Sequence, residues 1–236
     1  MSNTTKPDLK IKNHILAALP RQDYNDLLSS LKRVDMNHGD VLFDMGQAIQ
    51  NVYFPYDAVV SLVYTTQEGT TVEVGLVGME GMVGIPIILG GQVSPYRAIV
   101  QVADSAMRMK ASVLKEAFKK PGPLQDLLHR YTHGLMMQMS RTAVCNRIHT
   151  IEERLARWLL MVRDRMLSDE FRLTHEFVAD MLGVRRAGVT LAAGALQGSG
   201  LIRYVRGKIT IVDREGLELV ACECYGVGST DFSRID

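Results

Sequence analysis

Residues 171–202 read FRLTHEFVADMLGVRRAGVTLAAGALQGSGLI, and this stretch decides the fold. Thr174 offers a side-chain oxygen where a helix can begin, and Phe177, Val178, Met181 and Leu182 then recur at spacings that place them on one face. Gly183 supplies the tight turn that ends this helix and swings the chain into a second one over about 185–196. Two short helices joined in this way have the spacing of a helix-turn-helix. In the second helix Val189, Ala192, Ala193 and Leu196 are positioned to pack inward, while Arg185, Arg186, Gly188 and Thr190 lie near its N-terminal end. That end enters the major groove in helix-turn-helix proteins, where arginine contacts guanine edges or phosphates.

Ser199 and Gly200 close the second helix, and 201–212 (LIRYVRGKITIV) reads as two short strands turning at Arg206-Gly207-Lys208. A basic hairpin tip suits phosphate contact. Between Arg172 and Lys208 there are six basic residues against two acidic ones, although the whole chain carries only +1. The charge is therefore concentrated where a DNA-facing surface requires it. Any one of these arginines, taken alone, also reads as a solvated surface charge. Cap, turn glycine, second helix and basic hairpin in order point instead to double-stranded DNA, with Thr174, Arg185, Arg186, Gly188, Thr190, Arg206 and Lys208 as the candidate contacts.

Upstream, 150–167 predicts a helix with Ile151, Leu155, Trp158, Leu159, Val162 and Met166 on one core-facing side. Before it, Leu124, Leu128, Tyr131, Leu135 and Met139 recur every three or four residues, predicting a long helix over about 124–146. Its stripe has two readings: dimerisation through a partner helix, the preferred one, or packing on its own domain. Pro121-Gly122-Pro123 marks a change of character. Ahead of it lie short β-rich runs at 41–43, 52–55, 59–64, 71–77, 99–102 and 106–109, with helical patches at 14–31 and 111–119. Several short strands at such spacing predict a barrel or sandwich.

Taken together, residues 148–216 resemble the winged-helix domain of the Crp/Fnr family of bacterial regulators. The resemblance is carried by Leu173-Thr174, Leu182-Gly183-Val184, Arg186, Val189, Leu196, Gly200-Leu201-Ile202, Arg206-Gly207-Lys208-Ile209 and Asp213-Arg214-Glu215-Gly216-Leu217. It extends in layout over 14–220 and weakens toward the N-terminus. It implies an α+β chain: a jelly-roll, cyclic-nucleotide-binding-like effector domain at 14–120, a dimerisation helix at 121–148 and a winged helix-turn-helix at 149–220. It also implies a homodimer on a palindromic site, with RNA polymerase as a further partner if the protein activates transcription.

The departures matter for mechanism. The family's recognition helix often carries arginine, glutamate and a second arginine at the positions of Arg186, Ala187 and Leu191, and only the first is present. Members that bind cyclic AMP use a Gly-Glu pair and an Arg-Ser or Arg-Ala pair, for which Gly84 and Arg97-Ala98 are the matches here. Ile85 replaces the ribose-binding glutamate, and its apolar side chain cannot accept a hydrogen bond from a ribose hydroxyl, so an effector other than cyclic AMP is expected. The cofactor is unknown from the sequence.

Composition excludes other classes. Apolar residues make up 47% and charged residues 22%, the balance of a globular chain rather than a disordered one. No apolar run has membrane-spanning length and 1–8 is polar, which predicts a cytoplasmic protein without a membrane partner. Cys145, Cys222 and Cys224 are too few and too far apart in sequence to suggest a disulfide framework or a four-cysteine metal site, and no cysteine precedes Cys145, so no iron-sulfur cluster is expected. His129 and His133 share a helical face at metal-binding spacing, but a solvated or interface pair is the preferred reading, and no metal site is expected. A barrel oxygenase or isomerase needs histidines in the barrel, and 39–110 contains none; nor is there a nucleophile elbow or phosphate-binding loop. Catalysis is not expected. A cyclic-nucleotide-responsive signalling module without DNA binding is the remaining alternative, and the helix-turn-helix weighs against it.

Overall fold

The computed structural model describes residues 11–228. The polar segment 1–8 and Ser229 lie outside them. The helical patch expected over 14–31 is two helices, α1 (His14–Ala17) and α2 (Arg21–Leu28), with Pro20 as the cap between them. Proline has no N–H to continue α1, and its fixed φ suits a helix entry. Buried Asn13 caps α1 by accepting from Leu16 N, while its amide donates to Pro55 O and Gly81 O. One side chain thus ties the N-terminal helices to the β domain.

Seven strands follow: β1 (Lys32–Met36), β2 (Val41–Phe43), β3 (Asn51–Pro55), β4 (Val59–Thr65), β5 (Thr71–Val77), β6 (Arg97–Val102) and β7 (Asp104–Lys110). They form two antiparallel sheets, ordered β1-β7-β3 and β2-β6-β4-β5. Val52, Phe54, Val60, Leu62, Ala98, Val100 and Met109 fill the core between them. Strand β1 is absent from the sequence reading because Lys32, Arg33 and Asp35 face solvent and leave only Val34 and Met36 inward.

After α3 (Ala111–Phe118), α4 (Pro123–Ile148) starts with Pro123 in its first turn, where the missing N–H costs nothing. Helix α5 (Ile151–Met166) opens on a complete capping box between Thr150 and Glu153. Then come β8 (Glu170–Arg172), α6 (His175–Leu182), α7 (Arg186–Gly198), β9 (Ile202–Val205), β10 (Lys208–Ile211), α8 (Arg214–Val220) and α9 (Cys224–Gly228). The stretch that opens at Cys224 is helical as far as Gly228. The three short strands pair in the order β8-β10-β9.

The second core is built from α5 to α8, with Leu155, Leu159, Phe171, Val178, Val189, Leu196 and Leu217, and it includes Val59, Val63 and Leu76 of the barrel. The C-terminal unit therefore packs on β4 and β5 rather than standing free. Helix α4 docks on the same edge: the Gln138 amide accepts from Leu76 N at 2.7 Å and donates to Leu76 O at 3.2 Å. Among the described residues no helix is long and apolar enough to cross a membrane.

Candidate nucleic-acid interface

Thr174 holds the start of α6: its hydroxyl accepts from Phe177 N at 3.1 Å. Gly183 ends α6 in left-handed backbone at φ 61, a conformation that glycine adopts without strain. Val189, Ala192, Ala193 and Leu196 are buried as the spacing predicted, and the opposite side of α7 carries Arg186, Ala187, Thr190 and Leu191 in solvent. Leu191 is 77% exposed, unusual for a large apolar side chain without a partner.

The seven candidate contacts do not all reach this face. Arg185 and Arg186 do; Arg186 makes only a loose 3.8 Å approach to Glu176, with both side chains 69% exposed. Thr190 is exposed, but its hydroxyl donates back to Arg186 O at 3.1 Å and meets His175 Nδ1 at 3.0 Å. Gly188 faces α5 instead, where a Cβ would stand 2.8 Å from Ile151 Cδ1. Its smallness serves close helix packing.

The wing is a two-residue hairpin. Arg206 and Gly207 have φ of 51 and 78, and positive φ at both central positions is the signature of a type I′ turn. Arg206 is exposed at its tip. Lys208 stands one residue beyond and ion-pairs with Glu170 of β8 at 2.7 Å, so it is not an unengaged charge. The sequence reading also passed over His175. Its ring stacks on Tyr204 of β9 at 4.3 Å, and Tyr204 OH donates to Leu173 O. Burial, then the charge of Arg186, lowers the His175 pKa, so the ring favours the neutral form. Through it α6, α7 and the wing are braced as one surface; only its place directly after the cap could have signalled this.

The expected effector residues are committed elsewhere. Arg97 makes a two-pronged pair with Asp44, Nε to Oδ1 at 3.0 Å and the terminal nitrogen to Oδ2 at 2.7 Å, which pulls the Asp44 carboxyl below its usual range. Gly84, at φ 113, caps the short 3-10 turn Ile85–Ile87, and a Cβ there would meet Val52 at 2.8 Å. Ala98 and Ile85 are buried in the core. An anion approaching Arg97 would have to displace Asp44.

The stripe assigned to dimerisation also needs correction. Leu124, Leu128, Tyr131 and Leu135 are buried against the chain's own barrel, and Met139 packs partly on the same core. Periodicity reveals an apolar face without revealing what covers it. The exposed large apolar residues of α4 are Met136, Met137, Val144 and Ile148. Met136 borders a hollow of about 400 Å³, otherwise lined by Leu89, Val93, Tyr96, Thr132, Leu135 and Met139 among others.

His129 and His133 are exposed on α4, and His129 packs edge-on against Phe118. The three cysteines, read as too far apart to share a site, come together in space: Cys145 Sγ lies 3.5 Å from Cys222 Sγ although 77 positions separate them.

Residues 153–220 match the family model described as the Crp-like helix-turn-helix domain. Among solved structures the chain is similar to FixK2 from Bradyrhizobium japonicum, at 17% identity and a TM-score of 0.70, covering 81% of this chain and 98% of that one. A transcriptional regulator of the CRP/FNR family from Thermus thermophilus aligns at 23% identity and a TM-score of 0.66, covering 80% and 98%. CLP, the c-di-GMP responsive global regulator of Xanthomonas campestris, aligns at 14% identity and a TM-score of 0.66, covering 81% and 99%. No curated protein sequence matches the chain.

Proposed function

We propose that this chain, which has the Crp/Fnr regulator fold and a Crp-like helix-turn-helix domain, binds double-stranded DNA as a homodimer and regulates transcription from a palindromic site. The observation that carries the reading is the solvent face of α7, where Arg186 stands without a close counter-ion beside Ala187, Thr190 and Leu191. A helix seated in the major groove through that face offers Arg186 to the O6 and N7 of a guanine, and the Leu191 side chain to a thymine methyl group. Arg206 at the wing tip is placed for a phosphate, a contact that fixes register without reading sequence.

The dimer forms through the exposed apolar residues of α4. At 26 residues the helix is about 39 Å long, enough to run beside a second copy and fill the hollow next to Met136. A two-fold axis along α4 presents two recognition helices to half-sites about one DNA turn apart. RNA polymerase is a further partner where the outcome is activation. Any effector is not cyclic AMP: Ile85 offers no acceptor for a ribose hydroxyl, and Arg97 is engaged by Asp44.

Titration of the full chain into fluorescent duplex pools at two salt concentrations tests the reading. Binding that weakens steeply with salt supports it. Absence of binding at low salt, with and without cell-extracted small molecules, contradicts it.

A further inference from the structure

Three parts of the chain distant in sequence meet where α4 gives way to α5. Cys145 is in the last turn of α4, His149 caps its C-terminus, and Cys222 and Cys224 flank the turn into α9. Their ligand atoms, three Sγ and one imidazole nitrogen, all lie within 4.8 Å of one another. Cys145 Sγ to Cys222 Sγ is 3.5 Å, and Cys224 Sγ to His149 Nδ1 is 3.9 Å. A tetrahedral zinc ion with Zn–S of about 2.3 Å and Zn–N of about 2.0 Å requires S···S edges of about 3.8 Å and S···N edges of about 3.5 Å. Two edges of the group thus come close to those of such a tetrahedron, and the others are no longer than 4.8 Å. The enclosure suits one ion rather than a multinuclear cluster.

We propose that Cys145, His149, Cys222 and Cys224 form a structural Cys3His site for one Zn²⁺, pinning the end of α4 to the segment that follows the winged helix.

Two surrounding features favour an ion over packed thiols. His149 turns its other nitrogen, Nε2, to Glu223 Oε2 at 3.1 Å. A carboxylate on the outer nitrogen of a histidine fixes the tautomer that leaves Nδ1 free to bind metal. Arg154 and Arg157 are buried beside Cys145 around a small cavity, and among the described residues neither ion-pairs with a carboxylate. Arg154 instead bonds Asn146 Oδ1 and Leu182 O, Arg157 bonds Thr142 Oγ1, and the Nε atoms of both are unpartnered. Buried cations without a directly paired carboxylate are costly. Three thiolates, one neutral imidazole and Zn²⁺ carry a net charge of −1, which offsets part of that charge. Binding releases the three thiol protons to solvent and involves no oxidation.

The test uses the full-length chain purified with reductant and without chelator. Metal analysis should return about one zinc per chain. The protein stripped and refilled with Co²⁺ should show the intense visible bands of a tetrahedral site together with thiolate charge-transfer absorption in the near ultraviolet. Cys145→Ser and Cys222→Ser should reduce bound zinc at least tenfold. His149→Cys should keep a tetrahedral cobalt spectrum with stronger charge transfer, and it settles the matter where the serine variants fail to fold. A folded wild-type chain that takes up no zinc overturns the proposal. So does a pale octahedral cobalt spectrum, undiminished zinc in Cys145→Ser, or a Cys145–Cys222 disulfide in protein handled without oxygen.

Discussion

Arg165 of α5 donates through Nε to Glu80 Oε1 at 2.8 Å, joining the winged-helix unit to the barrel across 85 positions of sequence. Both side chains are about nine-tenths buried, at 10% and 9% exposure. Glu80 is itself held by the N–H of Gly78, and a Cβ at Gly78 would lie 2.8 Å from Arg165. The pair is therefore a fixed joint between two units, in a place where a missing partner leaves a charge out of water.

Replacing only one member should be the costly change. Glu80→Gln or Arg165→Met is expected to lower unfolding free energy by about 3–5 kcal/mol, read from urea midpoints at constant slope. The double replacement is expected to recover most of that loss. Additive effects would mean that the two side chains do not act as a pair.

Glu73 gives the protein a pH dependence at neutrality. It is buried in β5, accepts from Trp158 Nε1 at 3.1 Å, and burial pushes its carboxyl up to about 7 against the opposing effects of Ser61, Trp158, Arg165 and Arg157. With the folded pKa above the unfolded one, the protonated form is favoured in the fold. The stabilisation is complete below about pH 4.5 and is lost as pH rises through about 7. The thermal midpoint should fall as pH rises from about 4.5 to about 7, and Glu73→Gln should flatten that fall, a difference on the order of 3 kcal/mol over that window. An unchanged pH slope in Glu73→Gln would assign the effect to another group.

The recognition helix and the wing should separate in their effects. Arg186→Ala is expected to cost about 1–3 kcal/mol on the preferred duplex and to relax selectivity at one base position. Arg206→Ala should weaken every duplex alike and lower the salt slope by about one. Lys208→Ala should also act on all sequences, and by less, because Glu170 already holds the lysine. Competition binding with single-base variants of the site distinguishes the two patterns.

Two substitutions in α4 should likewise differ. Met136→Glu or Ile148→Glu places charge on exposed apolar positions and should shift sedimentation from dimer to monomer with little change in chain stability. Leu128→Ala removes a fully buried side chain and should cost about 2–5 kcal/mol of stability instead.

Much of this architecture is legible in the residues, and the exceptions have physical causes. Strands β2 and β5 are found at the bounds their β-branched runs predict, and Thr174, Gly183 and Thr150 mark helix ends through local chemistry alone. Strand β1 is hidden by its outward charges, and the break at Pro20 divides a helical patch that apolar spacing alone joins. The stripe of α4 is plain in the sequence, yet a stripe does not say whether a barrel or a second chain covers it, and for Leu128 and Tyr131 it is the barrel. Arg97 looks like an anion ligand until Asp44, 53 positions earlier, is seen across from it. The cysteine group is the clearest case, since spacing rules register only local motifs and Cys145 meets Cys222 through the tertiary fold.

The most direct test of the central claim is selection of the full-length chain against a randomised duplex library at moderate salt, followed by sequencing of the retained DNA. The account predicts enrichment of a two-fold symmetric motif with half-sites one helical turn apart and a guanine whose preference is lost in Arg186→Ala. Retention of DNA without any symmetric motif, or a guanine preference that survives Arg186→Ala, would contradict it.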